Sequence, residues 1–287
     1  MDRSTRQAKI APLFLLMAAF FWSAAGFFIK ILPWNGVSLA AIRGSVSFFI
    51  CLAALGRVNI RLTREKVMIA VCYFSQGILY IAANRLTTAA NAAVLHNTSP
   101  LYIILLNALV MKFRPSKLEI GTCCCLMSGV ALAFAGNISG GGALGNVLAL
   151  LSALFYAGVF FFSKASHTDT LESLVIGNFL YLLVLPFCLM QPYVREVSLQ
   201  QWEITLAFSV INGGVAWLCF SRGLRDTSAI QANFITMMEP IMAPVWTFLL
   251  LHESISPMSF VGCGVVIVTL IVYNMRVQKV VNGASAS

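Results

Sequence analysis

A carboxylate beside a proline sits in the middle of an apolar run: Thr236-Met237-Met238-Glu239-Pro240-Ile241-Met242-Ala243-Pro244, within about 228–251. A charge at the centre of such a run is expensive in lipid and normally faces a bundle interior or a wet cavity. Pro240 cannot donate a backbone hydrogen bond, which frees the carbonyl of Thr236. Glu239 therefore has two readings: an acid that binds a cationic group or cycles a proton, or a structural acid bonded to freed backbone groups. A matching stretch, His96-Asn97-Thr98-Ser99-Pro100, lies 140 residues earlier in a second apolar run, about 88–111. His96 can titrate near neutral pH or hydrogen-bond a solute, or it can be a satisfied packing histidine. Arg43, near the centre of another run, has a fork suited to a substrate carboxylate and equally to a structural carbonyl or carboxylate. Trp22, Tyr80, Tyr156 and Trp217 are mid-run aromatics, too deep for an interfacial belt. They either wall a cavity that takes apolar groups or a quaternary ammonium, or they simply pack. Asn107, Asn178 and Trp246 are weaker lining candidates. Covalent chemistry needs clustered ligands or a nucleophile–base pair. One deep histidine and one deep acid suit the holding of a solute better, so no catalytic residue is assigned.

These groups are positioned by a chain made for lipid. It has 287 residues, 59% of them hydrophobic and 10% charged, with a mean hydropathy of +0.86. No soluble domain of this size has that balance. The net charge of +9 is spread over short loops between apolar runs, which argues against nucleic acid as a partner. The eight cysteines lie in apolar runs without a CxxC pair, and the three histidines show no ligand spacing. Neither disulfides, metal nor any other cofactor is expected.

Hydropathy divides the chain into ten spans, at about 11–32, 36–56, 67–84, 88–111, 118–136, 144–164, 173–191, 204–221, 228–251 and 257–275. Near 20 residues at 1.5 Å each crosses a hydrocarbon core of roughly 30 Å. The third and eighth are marginal at roughly 18 residues. The first is too long for a signal-peptide core and reads as a retained span. With the N-terminus inside, fifteen of the nineteen lysines and arginines fall on the inner side and three outside, with Arg43 within a span. That places both termini in the cytoplasm of a multi-pass protein of the cytoplasmic (inner) membrane.

The two halves repeat. Adding 140 brings Pro100 onto Pro240, Ser99 onto Glu239 and His96 onto Thr236. Trp22 and Lys30 have the spacing of Tyr156 and Lys164; Gly77, Tyr80 and Arg85 have that of Gly214, Trp217 and Arg222. The division is 1–136 as a first repeat, 137–146 as a Gly-rich outer linker and 147–287 as a second repeat with a short tail. Five spans per half is an odd number, so the second half runs upside down through the membrane. The expected architecture is all-α, ten transmembrane helices as two inverted five-helix repeats around a central cavity. Inverted repeats suit a carrier whose halves exchange conformations. Pro100 and Pro240 are then hinges or static kinks.

Several stretches carry a family likeness: Phe21-Trp22-Ser23 with Lys30, Arg43, Ser99-Pro100-Leu101 with Arg114-Pro115-Ser116, and Met238-Glu239-Pro240 followed by Leu250-Leu251-His252-Glu253-Ser254. Here the chain resembles the drug/metabolite transporter superfamily, specifically its EamA-type ten-span members, over nearly its whole length. The resemblance implies two five-helix repeats around a central cavity, and substrates among amino acids, their derivatives and small organic cations. The resulting expectation is a secondary transporter moving a small metabolite by alternating access, with proton coupling and exchange both open. A channel-like pore and an intramembrane enzyme are the alternatives. No GxxxxGK[ST] occurs, so nucleotide hydrolysis is not expected. The partners are a small-molecule substrate and the bilayer, with protons, and monomer against homodimer, left open.

Overall fold

The computed structural model describes residues 3–133, 135, 142–166, 168–242, 246 and 257–284. All the regular structure among these residues is helical, and lipid explains why. With no water to pair with, every backbone group in the hydrocarbon must bond within its own segment. In chain order the helices are α1 (Arg3–Ser23), α2 (Ala25–Ile31), α3 (Gly36–Leu55), α4 (Arg64–Leu86), α5 (Ala89–His96), α6 (Ser99–Leu109) and α7 (Lys117–Ala133). The second half gives α8 (Ala143–Ala165), α9 (Thr170–Leu189), α10 (Leu199–Phe208), a π-helical segment (Ser209–Val215), α11 (Ala216–Arg225), α12 (Ala229–Thr236) and α13 (Pro257–Ala284). Residues 239–242 form a further short helical piece after α12.

Eight stretches among the described residues are long and apolar enough to cross a membrane. Of the other two expected spans, α7 has 17 residues and the ninth runs partly outside the described residues. The spans expected to be marginal are the reverse. The third is Arg64–Leu86 with 23 residues, and the eighth is Leu199–Arg225 with 27. Hydropathy stopped short because both begin in polar turns. Thr63 accepts a hydrogen bond from Lys66 N, and Ser198 and Gln201 form a reciprocal capping box. Such caps satisfy the orphan N–H groups of a first turn and let a helix start in polar sequence.

Three expected spans are broken rather than merely bent. The first divides at Ala24 between α1 and α2. The fourth divides at Asn97-Thr98, and its partner at Met237-Met238. Across the fourth, Asn97 N donates to Ala93 O, Thr98 N to Leu95 O and Leu101 N to Thr98 O. Across the ninth, Met237 N donates to Asn233 O, Met238 N to Ile235 O and Ile241 N to Met238 O. Each of these bonds is the other set's bond shifted by 140 residues. Pro100 and Pro240 each stand second in the helical piece after the turn, where a missing N–H leaves nothing unsatisfied. Thr98 Oγ1 returns a bond to Leu95 O at 2.7 Å.

The packing is paired in the same way. α4 lies on α8 and α1 on α11; α5 and α6 lie on α8 and α12 on α1; α4 lies on α9 and the π segment on α3. α3 packs on α9, α7 on α13 and α6 on α12, each against its counterpart in the other half. Lys30 Nζ donates to Thr87 O (3.2 Å) at the end of α4. Its counterpart Lys164 donates to Leu224 O (3.1 Å) and Arg225 O (2.9 Å) at the end of α11. A cation at a helix C-terminus satisfies free carbonyls and complements the dipole. At the start of α9, the buried Glu172 carboxylate pairs with Arg57 and Lys66, tying α9 to the loop after α3 and to the first turn of α4.

Candidate functional site

At the centre of the bundle is a cavity with about 350 Å3 of space between its walls, counting the part open to solvent. The structure brings Trp22, Tyr80, His96, Tyr156, Trp217, Glu239 and Arg43 to its wall, from seven different helical pieces. Ala25, Gln76, Gly77 and Asn212 complete the lining.

The walls are aromatic because repeat-related aromatics meet there. Trp22 and Trp217 rings are 4.7 Å apart and tilted; Trp22 and Tyr156 are edge-on at 6.2 Å. On the other side, His96 lies between Tyr80 at 4.5 Å and Tyr156 at 4.8 Å. The break between α1 and α2 falls between Trp22 and Ala25, so both can face the space. Among the described residues, the buried indole N–H groups of Trp22 and Trp217, and the Tyr156 hydroxyl, have no hydrogen-bond partner. Buried polar groups are ordinarily paired, so three such orphans around one cavity set it apart from the rest of the packed interior.

His96 is satisfied on one side. Its Nδ1 lies 2.8 Å from Ser152 Oγ, whose own hydroxyl donates to Ala149 O at 2.7 Å. A serine has one proton to give. Ser152 therefore accepts from His96 Nδ1–H, which leaves Nε2 of the neutral ring as an acceptor.

The two charges stand apart. Arg43 is 7% exposed, so it does not snorkel. Its Nη1 donates to Asn212 Oδ1 at 2.9 Å, and its Nε has no partner among the described residues. Glu239 heads the helical piece 239–242 and keeps accessible surface within the cavity. Among the described residues it forms no ion pair, so Arg43 and Glu239 share a cavity without closing on each other.

The remaining expected residues fall elsewhere. Asn178 is wholly buried and accepts from Tyr73 Oη at 2.8 Å, a packing role. Trp246 donates to Ser23 Oγ at 2.6 Å beside the α1–α2 break. Asn107 does not line the cavity, and Pro100 and Pro240 act through the breaks described above. His167, Pro244 and the stretch 247–256, with His252 and Glu253, lie outside the described residues.

Sequence reasoning missed Gln76 and Asn212. Gln76 stands one turn before Tyr80, and that spacing was a usable signal. Asn212 gave none. On an α-helix, at about 100° per residue, Asn212 and Trp217 point roughly 140° apart. The π segment, whose bonds run i→i+5, brings them to one side.

The sequence profile of the EamA-like transporter family matches residues 9–135 and again residues 143–275. The chain is similar to an uncharacterized transporter of Archaeoglobus fulgidus, 23% identical over 90% of this chain and 94% of the relative. It is likewise similar to the uncharacterized transporter YwfM of Bacillus subtilis, 23% identical over 98% and 100%. An uncharacterized transporter of Clostridium kluyveri is 22% identical over 82% and 77%. A solved crystal structure shares the fold with a TM-score of 0.76 at 16% identity, covering 93% of this chain and 98% of that one.

Proposed function

The chain belongs to the EamA-like transporter family, and from that premise we propose that it is a secondary carrier of small metabolites working by alternating access. That it is a multi-pass membrane transporter follows from the family and the apolar helices. The substrate class is an amino acid, an amino acid derivative or a small organic cation. One observation carries this reading: Glu239 and Arg43 line the same aromatic-walled cavity and leave each other unpaired. An ammonium suits Glu239 and the faces of Trp22, Tyr156 and Trp217. A carboxylate suits the Arg43 fork.

Alternating access is supported by the halves themselves. The backbone bonds at the two breaks match under one shift, Lys30 and Lys164 cap equivalent helix ends, and the interhelical contacts pair off. Two similar halves packed this way suit inverted repeats about a fixed site, with the breaks placed at that site. The lysine and arginine bias supports both termini in the cytoplasm and residence in the cytoplasmic membrane.

Glu239→Gln tests the coupling. In proteoliposomes loaded with an amino-acid mixture, pH-gradient-dependent flux should vanish. Undiminished gradient dependence would remove the proton role and leave the carrier reading in place. Flux that neither saturates nor is stimulated from the opposite side would remove the carrier reading itself.

A further inference from the structure

The arrangement of Asn212 goes beyond the reading above, though it rests on it. Asn212 is 1% exposed and sits in the π segment against α3. Both ends of its amide are used. Oδ1 accepts from Arg43 Nη1 at 2.9 Å, and Nδ2 donates to Phe21 O at 3.1 Å. Phe21 O can only accept, so the amide cannot be turned round and its oxygen must face Arg43. Gly213 beside it admits the arginine stem: a Cβ there would lie 2.8 Å from Arg43 Cγ and 3.1 Å from Arg43 O. A deep arginine usually pairs with a carboxylate or a backbone carbonyl. Here a carboxylate is available in the same cavity, yet the fork is held by a neutral amide.

We infer that Asn212 is a positioning residue that holds Arg43 apart from Glu239, so that the cavity keeps two separated opposite charges and prefers substrates carrying both a carboxylate and an ammonium over the corresponding amines. A neutral anchor orients the guanidinium without cancelling its charge. Arg43 lines the cavity, so its uncancelled charge remains for a guest carboxylate.

The test uses the full-length purified protein and matched pairs that differ only in the carboxylate: L-phenylalanine with phenethylamine, L-leucine with isopentylamine, L-lysine with cadaverine. Affinities come from ligand-induced thermal shifts. Wild type should bind the amino acids more tightly than their amines. Asn212→Asp supplies a charge that neutralises Arg43, and it should reduce the amino-acid-to-amine affinity ratio by about tenfold or more, the scale of a charged hydrogen bond. Arg43→Gln should reduce it equally, and serves if the aspartate variant does not fold. An unchanged ratio in the folded variants overturns the inference and leaves the carrier reading intact. Amines bound as tightly as amino acids by wild type also overturn it. Wild type binding no member of the panel overturns the amino-acid reading of the substrate, and this inference with it.

Discussion

At the scale of single residues, the site is defined by what is left unsatisfied. Trp217 is 2% exposed and its indole nitrogen has no partner among the described residues. An unpaired buried donor costs on the order of 1–3 kcal/mol, which is tolerable where a guest completes the bond. Trp217→Phe keeps most of the ring packing against Trp22 at 4.7 Å and Tyr73 at 4.6 Å. It should leave the melting temperature unchanged or slightly raised, while weakening binding of the best amino-acid ligand about tenfold. A melting point that drops by many degrees, with affinity intact, would make Trp217 a packing residue only. The histidine illustrates the converse. With Ser152 fixed by Ala149, His96 offers an acceptor to the cavity and spends its proton on the protein.

Individual elements act through breaks and close approaches. The π segment pays out extra backbone where α3 must come near. A Cβ on Gly213 would collide with Ser47 Oγ and with the Arg43 side chain, whereas one on Gly264 of α13 meets nothing within 4 Å. Gly213→Ala should therefore cost about 1–3 kcal/mol by overpacking, read as a lowered melting temperature, and Gly264→Ala should cost nothing measurable. Equal effects at the two sites would show that the π segment relaxes freely away from α3. The broken helices rest on the same logic of backbone supply and demand. Thr98 and the turn bonds at 97–98 and 237–238 take up groups that a straight helix would have paired along its axis. Ser99 and Asn233 exchange hydrogen bonds at 3.0 and 3.3 Å, fastening one break to the other half. The prolines were legible as break points; that both breaks are held by the same bonds was not, because backbone pairing leaves no trace in side-chain type.

For the whole molecule, orientation is the property most open to test. With the N-terminus inside, the segment around Asn59 faces the cytoplasm and that around Glu196 faces outward. In a background with all eight cysteines replaced, Glu196→Cys should react with a membrane-impermeant maleimide in intact cells. Asn59→Cys should react only after permeabilisation. The opposite pattern would invert the topology. An N-terminus inside would also put the cluster of Glu172 with Arg57 and Lys66 on the inner side, and Lys30 and Arg85 on the outer.

The sequence alone determined that the chain lives in lipid, where its helices run, that its halves repeat, and which charged and aromatic residues sit too deep to be bystanders. These follow from hydropathy, spacing and the cost of burying charge, all of which are written in residue type. It also carried the lengths of the third and eighth spans poorly, because capped polar turns look like loops to a hydropathy reading. Only the tertiary structure decided that Arg43 and Glu239 face one cavity without pairing, that Asn178 belongs to the packing, and that Asn212 belongs to the site. Those outcomes depend on the rotation of each helix about its axis, and a single π turn shifts that rotation without changing a residue.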